Sequence, residues 1–191
     1  LELGKTIVSL LGQDNNFGVN IAIGRDTRDS GNMLEEALVA GITMAGGSAF
    51  PLGVIPTNAV SHLIGVNKWD AGVMISASHN PADENGFKFI DQEGFKFGEA
   101  LEEEFEKIFF SKKFNTSKKP GSVFRVRNVK QDYISMLVDS LAGNNLEGLK
   151  IAVDPGNGAA SHILKDLFLE LKAEVKLINF EPTGDNINLG G

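Results

Sequence analysis

The stretch "LKIAVDPGNGAASHILKDLFLELKAEVKLIN", residues 149–179, decides the fold class. "LKIAVD" is a short apolar strand, "PGNGAAS" is a Gly-rich turn, "HILKDLFLELKA" has helical spacing, and "EVKLIN" is a second strand. Strand, tight turn, helix and strand in that order predict a right-handed crossover joining two parallel strands. One such unit is too small to complete a doubly wound domain, so residues 129–191 are expected to be the first part of a second domain within a longer polypeptide.

Upstream, the same alternation of elements recurs. "VNIAIG" (residues 19–24), "SAFPLG" (48–53) and "AGVMIS" (71–76) read as strands. Leu3, Ile7, Leu10 and Leu11 recur at helical spacing, with Gly12 to close that helix. Met33, Leu34, Leu38 and Ile42 form the apolar side of a second helix, with Ser30 as its expected N-cap and Gly46 and Gly47 as its stop. Thr57 is the expected N-cap of a third, shorter helix. Phe87 and Phe89 alternate before a turn at residues 91–94, and Phe95 and Phe97 follow it, which predicts a hairpin or antiparallel edge. Leu101, Phe105, Ile108 and Phe109 stripe an acidic helix, and the Phe105, Phe109 and Phe110 group reads as core. "SKKFNTSKKPGS" (residues 111–122) reads as a solvated loop. The expectation is an α/β fold: a mixed sheet sandwiched by helices over residues 1–128, plus an incomplete second α/β domain over 129–191.

Composition narrows the function. The 191 residues are 42% hydrophobic and 23% charged, as a packed globular chain requires. The net charge of -7 argues against a general nucleic-acid surface. No run is long and apolar enough to span a membrane. Without cysteine there is no disulfide framework and no thiolate metal site, which fits a reducing cytoplasm. His62, His79 and His162 are scattered and give no zinc spacing.

Ligands of open α/β sheets sit beyond the carboxyl ends of the strands. Three loops follow strands there: "GRDTRDSG" (residues 24–31), "GVIPT" (53–57) and "SASHNPADENG" (76–86). If the strands are neighbours, Arg25 and Arg28 converge on Ser76, Ser78, His79 and Asn80. Cations around a hydroxyl favour a phosphate ester, whose charge of about -1.5 to -2 needs neutralising. Ser78 is the candidate nucleophile or phosphate carrier, set against the plainer reading of a turn serine bonding its own backbone. His79 could orient a group or exchange protons. Lys88 matters only if its face of the strand points toward Ser78. Arg25, Asp26 and Arg28 could equally form a surface ion-pair network. "DPGNGAAS" (residues 154–161) resembles an anion nest, but it matches neither G-x-x-x-x-G-K-[ST] nor G-x-G-x-x-G, and a structural turn is the simpler reading.

The set "GRDTRDSG", "ISASHNP", "NGFKF", "VDPGNGAA" and "GDNIN", in this order, resembles the α-D-phosphohexomutases. The resemblance covers nearly the whole chain and is nearest to the branch that acts on glucosamine phosphates. It implies four domains around a cleft, of which residues 1–128 would be domain 1 without its opening strand and 129–191 the start of domain 2. It implies that Ser78 carries a phosphoryl group and exchanges it with the sugar through a bisphosphate intermediate, interconverting glucosamine 6-phosphate and glucosamine 1-phosphate. It further implies Mg²⁺, with Ser78 the one ligand within residues 1–191. Lys88 would transfer protons, His79 would lie near the phosphate and Arg25 would be an electrostatic partner. The partner is then a phosphosugar, with neither nucleic acid nor membrane expected. Phosphomannomutase or phosphoglucomutase specificity, or a non-catalytic phosphosugar-binding module, are the alternatives. A chain ending at Gly191 is expected to be inactive alone.

Overall fold

The computed structural model describes residues 1–12, 18–114 and 117–191. Its larger sheet contains β1 (Asn20–Arg25), β2 (Ser48–Val54), β3 (Ala71–Ile75) and β4 (Phe87–Ile90), in the order β2-β1-β3-β4. β1 runs parallel to both β2 and β3, and β4 is antiparallel to β3. A second sheet pairs β5 (Lys150–Val153) in parallel with β6 (Glu174–Leu177). The expected crossover is present, because the helix of residues 161–170 lies between these two strands in the chain. The fold is thus α/β, with a mixed sheet flanked by helices.

Strand periodicity assigns the two faces. Ile21 and Ile23 of β1, Val73 and Ile75 of β3, and Phe87 and Phe89 of β4 share one apolar cluster. The helices α1 (Glu2–Leu11), α2 (Ser30–Met44) and α4 (Glu99–Ser111) contribute Ile7, Leu38, Ile42 and Phe105 to it. Ala22 and Met74, one residue out of step, belong to the opposite cluster with Val60, Leu63 and Ile64 of α3 (Thr57–Asn67). That second cluster continues into Tyr133 and Ile134 of α5 (Val129–Asp139) and Ile163 and Leu167 of α6 (Ser161–Glu170). An apolar interface therefore runs unbroken across residue 128. Each fully buried aliphatic side chain in these clusters contributes about 1.5–3 kcal/mol. On the first face α1 and α2 cross with main chains nearly touching. A Cβ at Gly4 would lie 2.5 Å from the Leu38 carbonyl oxygen, and one at Gly41 would lie 2.0 Å from that of Leu1.

Several local expectations are corrected. Ser30 is the first helical residue of α2 rather than its cap, and its hydroxyl accepts from Asn85 Nδ2 instead. Thr57 likewise begins α3 behind Pro56 and makes no side-chain cap. Met33 is 66% exposed and Phe110 is 73% exposed, so neither is core. Both lie on helices whose apolar face is narrower than sequence spacing suggests, because Leu34 and Phe109 already fill the contact. The hairpin forms with β4 as its regular strand. The return is one bridge from Ile90 to Lys96 followed by a bond from the Phe97 amide to the Phe89 carbonyl. The loop expected at 111–122 includes Asn115 and Thr116, which lie outside the described residues, while Ser111 still belongs to α4.

Candidate active site

β3 delivers the polar loop. Its last residue, Ile75, is fully buried, and the ladder extends one step further through the Ser76 amide to the Gly86 carbonyl at 2.9 Å. The chain then turns sharply. The Ser76 hydroxyl, buried, accepts from the Ser78 amide at 3.0 Å, a local side-chain turn that competes with further strand. Ser78 takes φ +54°, left-handed backbone that an L-residue rarely adopts. The result lifts an exposed hydroxyl off the carboxyl end of the sheet.

Lys88 meets that hydroxyl. Met74 and Lys88 are directly paired across β3 and β4, so their side chains leave the same face. Along that face Lys88 reaches past the strand end, and its Nζ donates to Ser78 Oγ at 2.6 Å. The condition set by the sequence, that Lys88 must face Ser78, is met.

The two arginines do something other than converge on the hydroxyl. Arg25 has the same parity as Ile21 and Ile23 and so leaves the sheet on the α2 face, opposite to Lys88. There its Nε donates to Glu35 Oε2 at 2.7 Å, both side chains being largely shielded. The expected electrostatic partnership of Arg25 with Ser78 is therefore not formed by direct contact; alternation along β1 is the reason. Gly31 leaves room for the Arg25 stem, since a Cβ there would come within 3.2 Å of its Cδ.

Arg28 is buried, and all five of its guanidinium N–H donors are engaged. Its Nε pairs with Asp26 Oδ2 at 3.0 Å. Nη1 donates to the carbonyls of Pro81 and Glu84, and Nη2 donates to those of Ser78 and Asn80 at 3.0 Å each. Asp26 also accepts from the Arg28 amide at 3.1 Å, and its own amide is tied to the Ile75 carbonyl. The ion-pair reading of this motif thus holds, but as a buried fastener of the loop and not as a surface network. A loop full of unpaired carbonyls next to a sheet end would be costly; one guanidinium satisfies four of them.

His79 is exposed beside Ser78 and lines a cleft of about 430 Å³ with Asp154, Pro155, Gly156, Asn188 and Gly191. His62 lies on α3 and His162 on α6. The "GVIPT" loop closes back on the sheet through the Ile55 amide to the Arg25 carbonyl. The amides of the turn after β5 are already engaged: Gly156 donates to Asp154 Oδ1, Asn157 to the Asn179 carbonyl after β6 and Gly158 to the Pro155 carbonyl. Those amides are not left for an anion, in keeping with the structural-turn reading.

Sequence reasoning missed what joins this turn to the first unit. Thr27 Oγ1 donates to the Asn157 carbonyl at 2.7 Å in a buried setting, and Asn188 Nδ2 donates to the carbonyls of Ser78 and Asn80. "GDNIN" was legible as a motif, but its contact with Ser78 spans 110 positions and has no periodic signal.

Residues 1–116 match the sequence profile described as phosphoglucomutase/phosphomannomutase, alpha/beta/alpha domain I. The chain belongs to this family. It is 46% identical over 173 residues to a phosphoglucosamine mutase of Thermodesulfovibrio yellowstonii, covering 88% of this chain and 38% of that protein. It is 43% identical over 192 residues to the phosphoglucosamine mutase of Alkaliphilus oremlandii, covering 99% of this chain and 43% of that one. The crystal structure of a phosphoglucomutase/phosphomannomutase family protein from Burkholderia thailandensis superposes with a TM-score of 0.80 at 26% identity, over 96% of this chain and 40% of the other. The chain therefore spans about two fifths of the length of these relatives.

Proposed function

We propose that residues 1–191 contribute the phosphoryl-carrying part of a phosphosugar mutase, with Ser78 as carrier and glucosamine 6-phosphate and glucosamine 1-phosphate as the pair interconverted. One observation carries the reading: an exposed serine hydroxyl, on left-handed backbone at the carboxyl end of the parallel strands of a mixed sheet, receives a lysine Nζ at 2.6 Å. Resemblance to two phosphoglucosamine mutases at 43–46% identity supports the choice of sugar.

Phosphoryl transfer needs position and charge neutralisation more than covalent assistance. The Arg28-braced loop supplies position. In the first half-reaction the Ser78 Oγ–P bond breaks and a bond from phosphorus to the sugar hydroxyl oxygen forms. The Lys88 ammonium gives its proton to the departing Oγ and regains one from the sugar hydroxyl, so protons balance. The sugar is then a bisphosphate. Its other phosphoryl group returns to Ser78 by the reverse of these steps. His79, on the cleft side, is assigned to the bound phosphate, and Arg25 acts at most through the field of its pair with Glu35.

The donor set fits Mg²⁺ only in part. Among the described residues no group of three or more His, Cys, Asp or Glu could hold a metal, and Asp26 is already bound to Arg28. This chain would offer Mg²⁺ the oxygen on Ser78, with its other ligands outside residues 1–191. When bound, the ion would neutralise charge on the phosphoryl group. A cytoplasmic setting suits a phosphosugar pool, and among the described residues no helix is long and apolar enough to cross a membrane.

The test is Ser78→Ala in the complete protein, assayed with glucosamine, glucose and mannose phosphates and a hexose bisphosphate activator. Loss of turnover with glucosamine phosphate as the preferred substrate is expected. Unchanged turnover rejects Ser78. Preference for mannose or glucose phosphate moves the protein to the phosphomannomutase or phosphoglucomutase reading. Binding without turnover in the unsubstituted protein makes it a phosphosugar-binding module.

A further inference from the structure

Ser78 sits in a conformation that its own side chain does not favour, so something must hold it there. Its carbonyl and that of Asn80 each have two lone pairs, and in each case one is filled by Arg28 Nη2 at 3.0 Å. The second donor on both is the same group, Asn188 Nδ2, at 3.0 and 3.1 Å. Arg28 belongs to the loop after β1, whereas Asn188 comes from the segment after β6, so two separate parts of the fold grip the same pair of carbonyls.

The Asn188 side chain is itself well placed. Its backbone is left-handed, φ +65°, a conformation that asparagine tolerates better than most residues. Its amide is fixed to the Gly156 carbonyl at 2.7 Å. Two further bonds keep its segment against the first unit. The Asp29 amide donates to the Gly184 carbonyl at 3.1 Å, and Thr27 Oγ1 holds the Asn157 carbonyl. Approach at Gly184 is so close that a Cβ there would stand 1.7 Å from Asp29 Oδ1.

We propose that Asn188 is a positioning residue for Ser78, its carboxamide setting the carbonyls of Ser78 and Asn80 so that the Ser78 hydroxyl stays aimed at Lys88. This rests on the mutase reading for its effect on turnover, but not for its effect on the loop. Any shift of the segment carrying Asn188 is transmitted to the phosphoryl-carrying loop through these two bonds. Misplacing a reacting group by about an ångström costs up to roughly a hundredfold in rate, so the effect belongs in kcat and not in affinity.

The variants are Asn188→Gly and Asn188→Asp in the complete protein. Glycine removes the carboxamide while accepting the left-handed backbone; aspartate keeps the size and removes both donors. Amide hydrogen exchange over residues 77–86 should accelerate about three- to tenfold, the loss of roughly one net hydrogen bond. The melting temperature should fall by no more than about 2–4 °C, the shift of about 1 kcal/mol in a chain of this size, and exchange in β1 and β3 should accelerate no more than that over residues 77–86. Turnover should fall about tenfold or more with KM held within about twofold. Unchanged exchange over residues 77–86 overturns the proposal whatever the activity. Faster exchange with unchanged kcat also overturns it. Absence of mutase activity in the unsubstituted protein would instead overturn the functional reading, and the exchange measurement tells the two failures apart.

Discussion

The loop after β3 and the turn after β5 begin alike. Each follows a parallel strand, and each passes through left-handed backbone, at Ser78 in one and at Gly156 and Asn157 in the other. They differ in where their polar groups go. The turn after β5 is satisfied by its own Asp154 and Pro155 and by the segment after β6, with a single bond from Thr27 of the first unit. The loop after β3 has its carbonyls held from outside, by Arg28 and Asn188, and its serine hydroxyl is left exposed with a cation upon it. A strand end becomes a candidate reactive site when other elements hold its main chain, because the side chain no longer has to.

That contrast can be broken in order of effect. Replacing Lys88 by Met keeps the stem that passes Met74 but removes the charge beside Ser78. Turnover in the complete protein should fall about 10²–10⁴-fold, the usual range for a proton-transfer group. A loss confined to KM, in steady-state assays, would show that Lys88 binds substrate instead. Next is Arg28→Met, which strands the Asp26 carboxylate and removes the guanidinium donors from four carbonyls. Breaking a buried pair on one side costs about 3–5 kcal/mol, so the urea midpoint should drop sharply. A midpoint within error of the parent would mean that the loop is held by other means. Smallest is Asn157→Gly, glycine accepting the left-handed backbone at this position. It removes the carboxamide bonds to Asn186 and Glu181, leaving the Thr27 bond to its main chain. A loss of about 1–3 kcal/mol is expected in the same melt, and turnover per folded molecule should change little compared with Lys88→Met. A larger catalytic loss from Asn157→Gly than from Lys88→Met would erase the distinction between the two loops.

Much of this was legible in the sequence. Strands appear where Ile, Val and Ala run together, and the crossover at 149–179 follows from turn and helix spacing. The sequence also contained the parity that separates Arg25 from Lys88: Arg25 is in step with Ile21 and Ile23, and Lys88 is out of step with Phe87 and Phe89. Treating both as cations near the same loop ignored that parity. Arg28 could not have been placed by pattern alone, since full burial of a guanidinium depends on carbonyls 50 or more residues away. Asn188 is hidden for the same reason. Helix caps failed at Ser30 and Thr57 because each side chain sits one position inside the helix start.

The central claim is that Ser78 holds and hands on a phosphoryl group. The direct measurement is transfer of label from a radiolabelled hexose bisphosphate to the complete protein, followed by peptide mapping and a chase with unlabelled glucosamine 6-phosphate. Label on Ser78, absent from Ser76, and leaving with the sugar during the chase is the predicted result. Turnover that proceeds with no label on Ser78, or label that stays on the protein through the chase, would contradict it.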